Sequence, residues 1–193
     1  MKRVCVFCGS KVGTNAQYRE AAVDLGRILV RHRFGLVFGG GSVGLMGVIA
    51  DSVLSEGGEV VGVIPERLAT KELLHPEVPD MRVVHDMHAR KSLMAELSDA
   101  FVAIPGGLGT FEEFFEIVTW AQLGFHRKNI GLLNIAGFFD PLVTLIDHSI
   151  QEGFIKAKNR DLIIVDDCPE RLVARLQEHQ MPAVKQWLGP IET

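Results

Sequence analysis

Residues 100–124 read AFVAIPGGLGTFEEFFEIVTWAQLG. The opening run, Ala100 to Ile104, is apolar throughout, which is the signature of a strand buried on both faces. Pro105, Gly106 and Gly107 end that strand. A helical pattern then predicts a helix from Thr110 to Gly124. A glycine-rich turn that opens a helix is suited to an anion, because unpaired N–H groups point out of its end. Yet three acids, Glu112, Glu113 and Glu116, follow within two turns.

The same strand–turn–helix unit recurs on either side. KRVCVFC is an apolar strand ending at Gly9-Ser10, and Asn15 to Arg33 carries a helical stripe of Ala21, Ala22, Leu25, Ile28 and Leu29. GLVFGGG is a second strand, followed by a helix in GLMGVIADSVLS; EVVGVIP is a third. Residues 66–80 are irregular. MRVVHD is a short strand, and MHARKSLMAELS a helix with Asp86 at its N-cap. Downstream, NIGLLNI and LIIVDD read as strands, each followed by a helix. Apolar strands alternating with amphipathic helices predict an α/β fold: a Rossmann-like, three-layer, doubly wound parallel sheet. No linker or repeat divides residues 1–193, so one domain is expected, with the tail from residue 180 unassigned.

The chain has 20 Lys and Arg against 24 Asp and Glu, a net charge of −4. That balance gives no reason to expect a nucleic-acid surface. The apolar run before Gly9 is too short for a signal peptide, and no run approaches the roughly 18 residues of a membrane span. A cytoplasmic location is expected, without membrane partners. Cys5 and Cys8 form a C-x-x-C, but on a strand positions three apart face opposite sides, so the two thiols should diverge.

Parallel sheets bind ligands beyond the carboxyl ends of their strands. The segments placed there are Gly9-Ser10, the turn Gly39–Gly47 with Gly41 and Ser42, the segment around Glu72, HDMHARK, and PGGLGT. Gly39-x-Gly41-x-x-Gly44 matches a dinucleotide fingerprint formally, but it follows the second strand instead of the first. Contact with a phosphate or ribose and plain turn packing both remain open for it. In PGGLGT the glycines Gly106, Gly107 and Gly109 let backbone approach a phosphate, and Thr110 adds a hydroxyl. Arg90 and Lys91 fall in the first turns of their helix, where the dipole disfavours cations unless an anion lies nearby. Glu113 and Glu116 share a helix face, with Glu112 turned toward solvent. His85 and His88 flank Asp86 without a fixed ligand geometry, so no metal is expected.

PGGLGTFEE contains the pattern P-G-G-x-G-T-x-x-E, whose six fixed positions arise by chance in a chain of this length with a probability on the order of 10⁻⁵. Together with CGS, GGGSVGLMG and MHARK upstream and TWAQLG downstream, it resembles the Lonely Guy family of cytokinin riboside 5′-monophosphate phosphoribohydrolases. The resemblance implies a Rossmann-like homodimer that hydrolyses a nucleoside 5′-monophosphate at its glycosidic bond and uses no cofactor. Arg90 and Glu113 fall on the family's catalytic pair. Its substrate contacts fall on Lys91, on the turn from Gly107 through Leu108 and Phe111 to Glu112, on Thr119, and on Glu72. Leu108 stands where relatives often have tyrosine. Glu113 would then be aimed at the ribose while the turn holds the 5′-phosphate, with Arg90 keeping Glu113 ionised. A second reading is a non-catalytic carrier of a phosphorylated ligand such as molybdenum cofactor, for which the same turns would serve. An oxidoreductase reading is disfavoured by the misplaced fingerprint.

Overall fold

The computed structural model describes residues 1–70 and 73–182; Glu72 and the tail from residue 183 lie outside the described residues. Among the described residues seven strands form one sheet: β1 Arg3–Phe7, β2 Gly35–Phe38, β3 Val60–Pro65, β4 Asp80–Val84, β5 Ala100–Ala103, β6 Asn129–Leu133 and β7 Ile163–Asp166. Among the described residues there are six α-helices, of which the first five connect strands and the sixth follows β7: α1 Ala16–Arg31, α2 Gly44–Ser55, α3 Met87–Leu97, α4 Leu108–Leu123, α5 Asp140–Gln151 and α6 Pro169–Glu178. Every pairing is parallel, and the spatial order is β4-β3-β2-β1-β5-β6-β7.

Each helix buries one stripe. Leu25 and Leu29 of α1, Ile49 and Val53 of α2, and Leu172 and Val173 of α6 fill one side of the sheet. Met94 of α3, Phe114 and Ile117 of α4, and Ile146 of α5 fill the other. Strands buried on both faces explain why VCVF, GLVF and AFVA carry no alternation. Cys5 lies in one of these layers and Cys8 in the other, so the thiols do diverge.

The order reverses between β1 and β5. Chain leaving β1 turns toward α1 on one face, and chain leaving β5 turns toward α4 on the other. A crevice therefore opens beyond their carboxyl ends, where doubly wound sheets place ligands. The two turns meet backbone to backbone: Gly9 N–H donates to the Pro105 carbonyl at 3.1 Å. A Cβ on Gly106 would lie 2.8 Å from Gly9 N and 2.1 Å from Thr110 Oγ1, so only glycine fits there.

Two local outcomes differ from the sequence expectation. Helix α4 starts at Leu108 instead of Thr110, with Gly107 as N-cap. Leu108 and Gly109 thus supply first-turn N–H groups and do not belong to the preceding loop. The irregular segment after β3 also makes an antiparallel strap. Leu74 bridges to Gly41, Ser42 N–H donates to the Leu73 carbonyl at 2.8 Å, and His75 N–H donates to the Gly40 carbonyl at 3.0 Å. Among the described residues no helix is long and apolar enough to cross a membrane.

Candidate active site

A cavity of about 350 Å³ lies at the crevice, on the side of α3 and α4. That volume falls within the usual range for a small-ligand site. Its floor is an ion pair. Arg90 Nη1 donates to Glu113 Oε1 at 2.7 Å, and each side chain is only 10% exposed. Arg90 Nε donates to the Val63 carbonyl at 3.1 Å, which fixes the guanidinium against the end of β3.

Arg90 reaches this place because α3 is capped where the sequence predicts: Asp86 accepts a hydrogen bond from Ala89 N–H at 2.8 Å. Its remaining room comes from Gly39. A Cβ on Gly39 would lie 1.9 Å from Arg90 Nη2. Gly39 is therefore the seat of the arginine. Other glycines of the same run have other duties. Gly40 and Gly44 have φ of +76° and +65°, and a Cβ on Gly44 would strike the Ser10 backbone at 2.2 Å. Gly41 and Ser42 are bound to the strap and do not line the cavity. In this chain the turn-packing reading of GGGSVGLMG accounts for these contacts.

The glycines of the α4 turn differ. A Cβ on Gly107 or Gly109 would meet nothing within 4 Å, and neither residue has a positive φ. Chain packing does not require glycine at either position. Both line the cavity, as do Leu108 and Thr110. The first turn of α4 presents N–H groups that have no carbonyl one turn earlier, and its dipole favours negative charge at this mouth. Leu108 is 85% exposed, so what it offers the cavity is chiefly backbone.

Glu113 sits further along α4, buried beside its arginine. Burial pushes its carboxyl above the ordinary glutamate range, while the Arg90 guanidinium and its hydrogen bond pull the other way. Arg90 therefore opposes the effect of burial on Glu113 without cancelling it, because desolvation is the larger influence.

The structure gathers Ser10, Arg90, Gly107, Leu108, Gly109, Thr110 and Glu113 around the cavity. Gly106 lies in the adjoining turn. Lys91 does not reach it: Nζ donates to Glu112 Oε1 at 2.5 Å and Glu116 Oε1 at 3.0 Å, bracing α3 against α4. Desolvation opposes its charge, yet these two carboxylates hold Lys91 above the ordinary lysine value. Glu112 and Glu116 are one turn apart and face this lysine, leaving Glu113 as the acid directed inward. Phe111 packs into the layer of α4 and α5. Thr119 is exposed on α4, away from the cavity lining. Sequence reasoning missed Cys8, Met46, Leu68 and Met94 as cavity walls. Nothing in their local spacing marks them, since each arrives from a different element. Among the described residues no group of three or more His, Cys, Asp or Glu is arranged to hold a metal ion.

Residues 46–176 match the family model described as "Possible lysine decarboxylase". A cytokinin riboside 5′-monophosphate phosphoribohydrolase of Arabidopsis thaliana is 49% identical over 177 residues, spanning 92% of this chain and 82% of that protein. A namesake from Oryza sativa subsp. japonica is 48% identical over 178 residues, spanning 92% and 74%. The chain belongs to the Lonely Guy family. The Lonely Guy fold also appears in distant solved structures. The molybdenum cofactor carrier protein of Chlamydomonas reinhardtii superposes with a TM-score of 0.70 at 22% identity, covering 92% of this chain and 96% of that one. The molybdenum cofactor binding protein of Rippkaea orientalis gives 0.69 at 18%, covering 92% and 97%. At such identity these two neighbours speak for architecture alone.

Proposed function

We propose that this protein hydrolyses the N-glycosidic bond of adenosine 5′-monophosphate and of its 6-amino-substituted, cytokinin-type forms, releasing the free base and ribose 5-phosphate. The observation that carries the reading is the buried Arg90–Glu113 pair, 2.7 Å apart, in a cavity whose mouth is the N-terminus of α4. An anion and a carboxylate then serve opposite ends of one substrate. The 5′-phosphate rests on the first-turn N–H groups of α4 and the Thr110 hydroxyl. Glu113 lies deeper, facing the sugar.

Cleavage proceeds through a sugar with oxocarbenium character. The bond between the anomeric carbon and the base breaks, and its electron pair leaves with the base. Ionised Glu113 stabilises the positive charge on the sugar and accepts a proton from the attacking water. That water supplies the new hydroxyl on the anomeric carbon; the one proton it loses to Glu113 is the one the departing base gains by the end of the reaction, which leaves the carboxylate ionised again. Arg90 holds Glu113 in place and offsets part of the cost of burying its charge. Phosphate binding at a distance from the reacting carbon aligns the sugar.

With this reading go a homodimer, a cytoplasmic location, and contributions of Glu72, Lys91 and Thr119 to substrate binding, the last two from positions outside the cavity lining. Exposed Val83 and Met87, at the end of β4 and the start of α3, offer apolar surface beside the site for a second copy. A sedimentation measurement giving a monomer at micromolar concentration would remove the dimer.

The test of the chemistry is release of adenine from adenosine monophosphate, followed by chromatography. Glu113→Gln and Arg90→Ala should each lower kcat/KM by about 10²-fold or more, the range for a positioned acid–base group. Near-wild-type turnover by Glu113→Gln would remove Glu113 from the reaction. Tight binding by the wild-type protein with no base release would make it a carrier instead.

A further inference from the structure

His75 is only 4% exposed, yet it lies outside the lining of the Arg90–Glu113 cavity. It belongs to the strap after β3. A buried imidazole needs a partner for each ring nitrogen, and both are present. Glu77 N–H donates to Nδ1 at 3.4 Å, so Nε2 carries the hydrogen that Asp51 Oδ1 accepts at 3.1 Å. Asp51 is on α2, with its side chain turned largely to solvent. The His75 ring also meets Phe38 edge-on, with centroids 6.3 Å apart and planes at 80°. Phe38 is fully buried at the end of β2 and immediately precedes Gly39.

Backbone beside that ring grips the glycine turn. His75 N–H donates to the Gly40 carbonyl, and the Leu73 carbonyl accepts from both Ser42 N–H and Ser42 Oγ, the latter at 3.3 Å. These bonds fall directly after Gly39, whose missing side chain makes room for Arg90 Nη2. The same turn touches the cavity wall: a Cβ on Gly41 would lie 3.0 Å from the Met46 methyl, and Met46 lines the cavity. A run of glycines has little shape of its own, because each can adopt many backbone conformations. Its shape must be imposed from outside, and the strap imposes it. The strap is in turn held by His75 and by Val78, which is buried in the layer of α1 and α2.

We propose that His75 is a positioning residue for Arg90: by pinning the strap to α2 and to the end of β2, it fixes the Gly39 turn and with it the place of the guanidinium beside Glu113. The kinetic consequence rests on the function proposed above. His75 acts through the turn and not on substrate. The mouth of α4, to which the phosphate is assigned, belongs to a different turn, so loosening the strap should impair the chemical step and spare binding.

The experiment follows two signals. One is kcat and KM for adenine release from adenosine monophosphate. The other needs no turnover: the NMR resonance of the Arg90 Nε–H group, whose hydrogen the Val63 carbonyl accepts, assigned by its loss in Arg90→Lys. His75→Ala should lower kcat by about 10-fold, less than the order of 10²-fold that a full ångström of misplacement can cost. KM should stay near its wild-type value, and the resonance should shift or broaden. His75→Gln, whose amide can still donate to Asp51, should recover part of both signals. Asp51→Ala removes the partner from an exposed position without opening a hole in the core, and should move both signals in the same direction. Thermal melts establish which variants fold; where His75→Ala does not, Asp51→Ala decides. A purely structural role would lower the melting temperature and leave both signals in place, and that result in the folded variants overturns the proposal. A raised KM at unchanged kcat overturns it too. If the wild-type protein releases no adenine, the proposed function falls, and the resonance alone decides whether His75 positions Arg90.

Discussion

Gly39 shows how one missing side chain positions another. The Arg90 guanidinium occupies the space a Cβ would take, while its other contacts are the Val63 carbonyl and Glu113. Gly39→Ala should therefore displace the arginine without removing it. A misplacement of about 1 Å can cost on the order of 10²-fold in rate, and we expect a loss of that size in kcat/KM with the fold retained by circular dichroism. Wild-type kinetics in Gly39→Ala would show that Arg90 can move without consequence. Glu113 lends itself to a second measurement. Folding raises its pKa above the 4.5 of an ordinary glutamate, mainly through burial. Its contribution to stability is complete below the unfolded value and is lost as pH rises through the folded one. Glu113→Gln cannot titrate. The wild-type melting temperature should thus fall relative to that of Glu113→Gln as pH is raised from 4.5 toward neutrality, and a constant difference would contradict the raised pKa. At this scale the sequence made Glu113 and Arg90 legible through motif spacing. It could not reveal what Gly39 does, because the arginine that fills its place lies 51 positions away in the chain. The pairing of Lys91 was hidden for a related reason: its partners Glu112 and Glu116 sit on another helix, and only the packing of α3 on α4 joins them.

At the scale of elements, α4 connects an anion-ready mouth to a firmly closed far end. Gly124 ends the helix in the left-handed conformation, φ +84°. Just beyond it, His126 Nε2 lies 3.0 Å from the Ile117 carbonyl, and Lys128 N–H donates to His126 Nδ1 at 3.1 Å. Both ring nitrogens are thus used in the neutral form, and burial holds the imidazole below its ordinary value. Forcing an L-residue into the left-handed region costs about 1 kcal/mol. Gly124→Ala should lower stability by that order in denaturant titration and leave adenine release unchanged, since the change lies at the opposite end of the helix from the crevice. A loss of activity equal to that of Glu113→Gln would mean that the two ends of α4 are coupled. The sequence located α4 correctly but began it two residues late. Leu108 and Gly109 look like loop, one exposed and one flexible. Their helical conformation follows from the Gly107 cap and from Thr110 packing into the space over Gly106.

For the whole molecule, the alternation of apolar strands and amphipathic helices was enough to foresee a parallel sheet covered on both faces. The pairing order was not. β1 and β5 are separated by more than 90 residues in the chain, and no local pattern says that they adjoin. That adjacency places the reversal, hence the crevice, hence the meeting of the turns after β1 and β5 with α3 and α4. A ligand held by groups from so many separate segments can bind only the folded chain. Adenosine monophosphate at about 100 times its Kd should stabilise Glu113→Gln, chosen because its turnover is expected to be slowed, by about 2.7 kcal/mol. A melt unaffected by the nucleotide would show that the crevice does not hold it.

The strap has a bearing on the order in which the molecule can be assembled. Residues 39–41 leave β2 early, but hydrogen bonds to Leu73 and His75 fasten the turn. Arg90 arrives after that, and Glu113 later still. A ribosome must therefore deliver well over half of the 193 residues before the arginine has both its seat and its partner. A fragment cut short before α4 would contain the arginine and the glycine that seats it but not the carboxylate that pairs with the guanidinium.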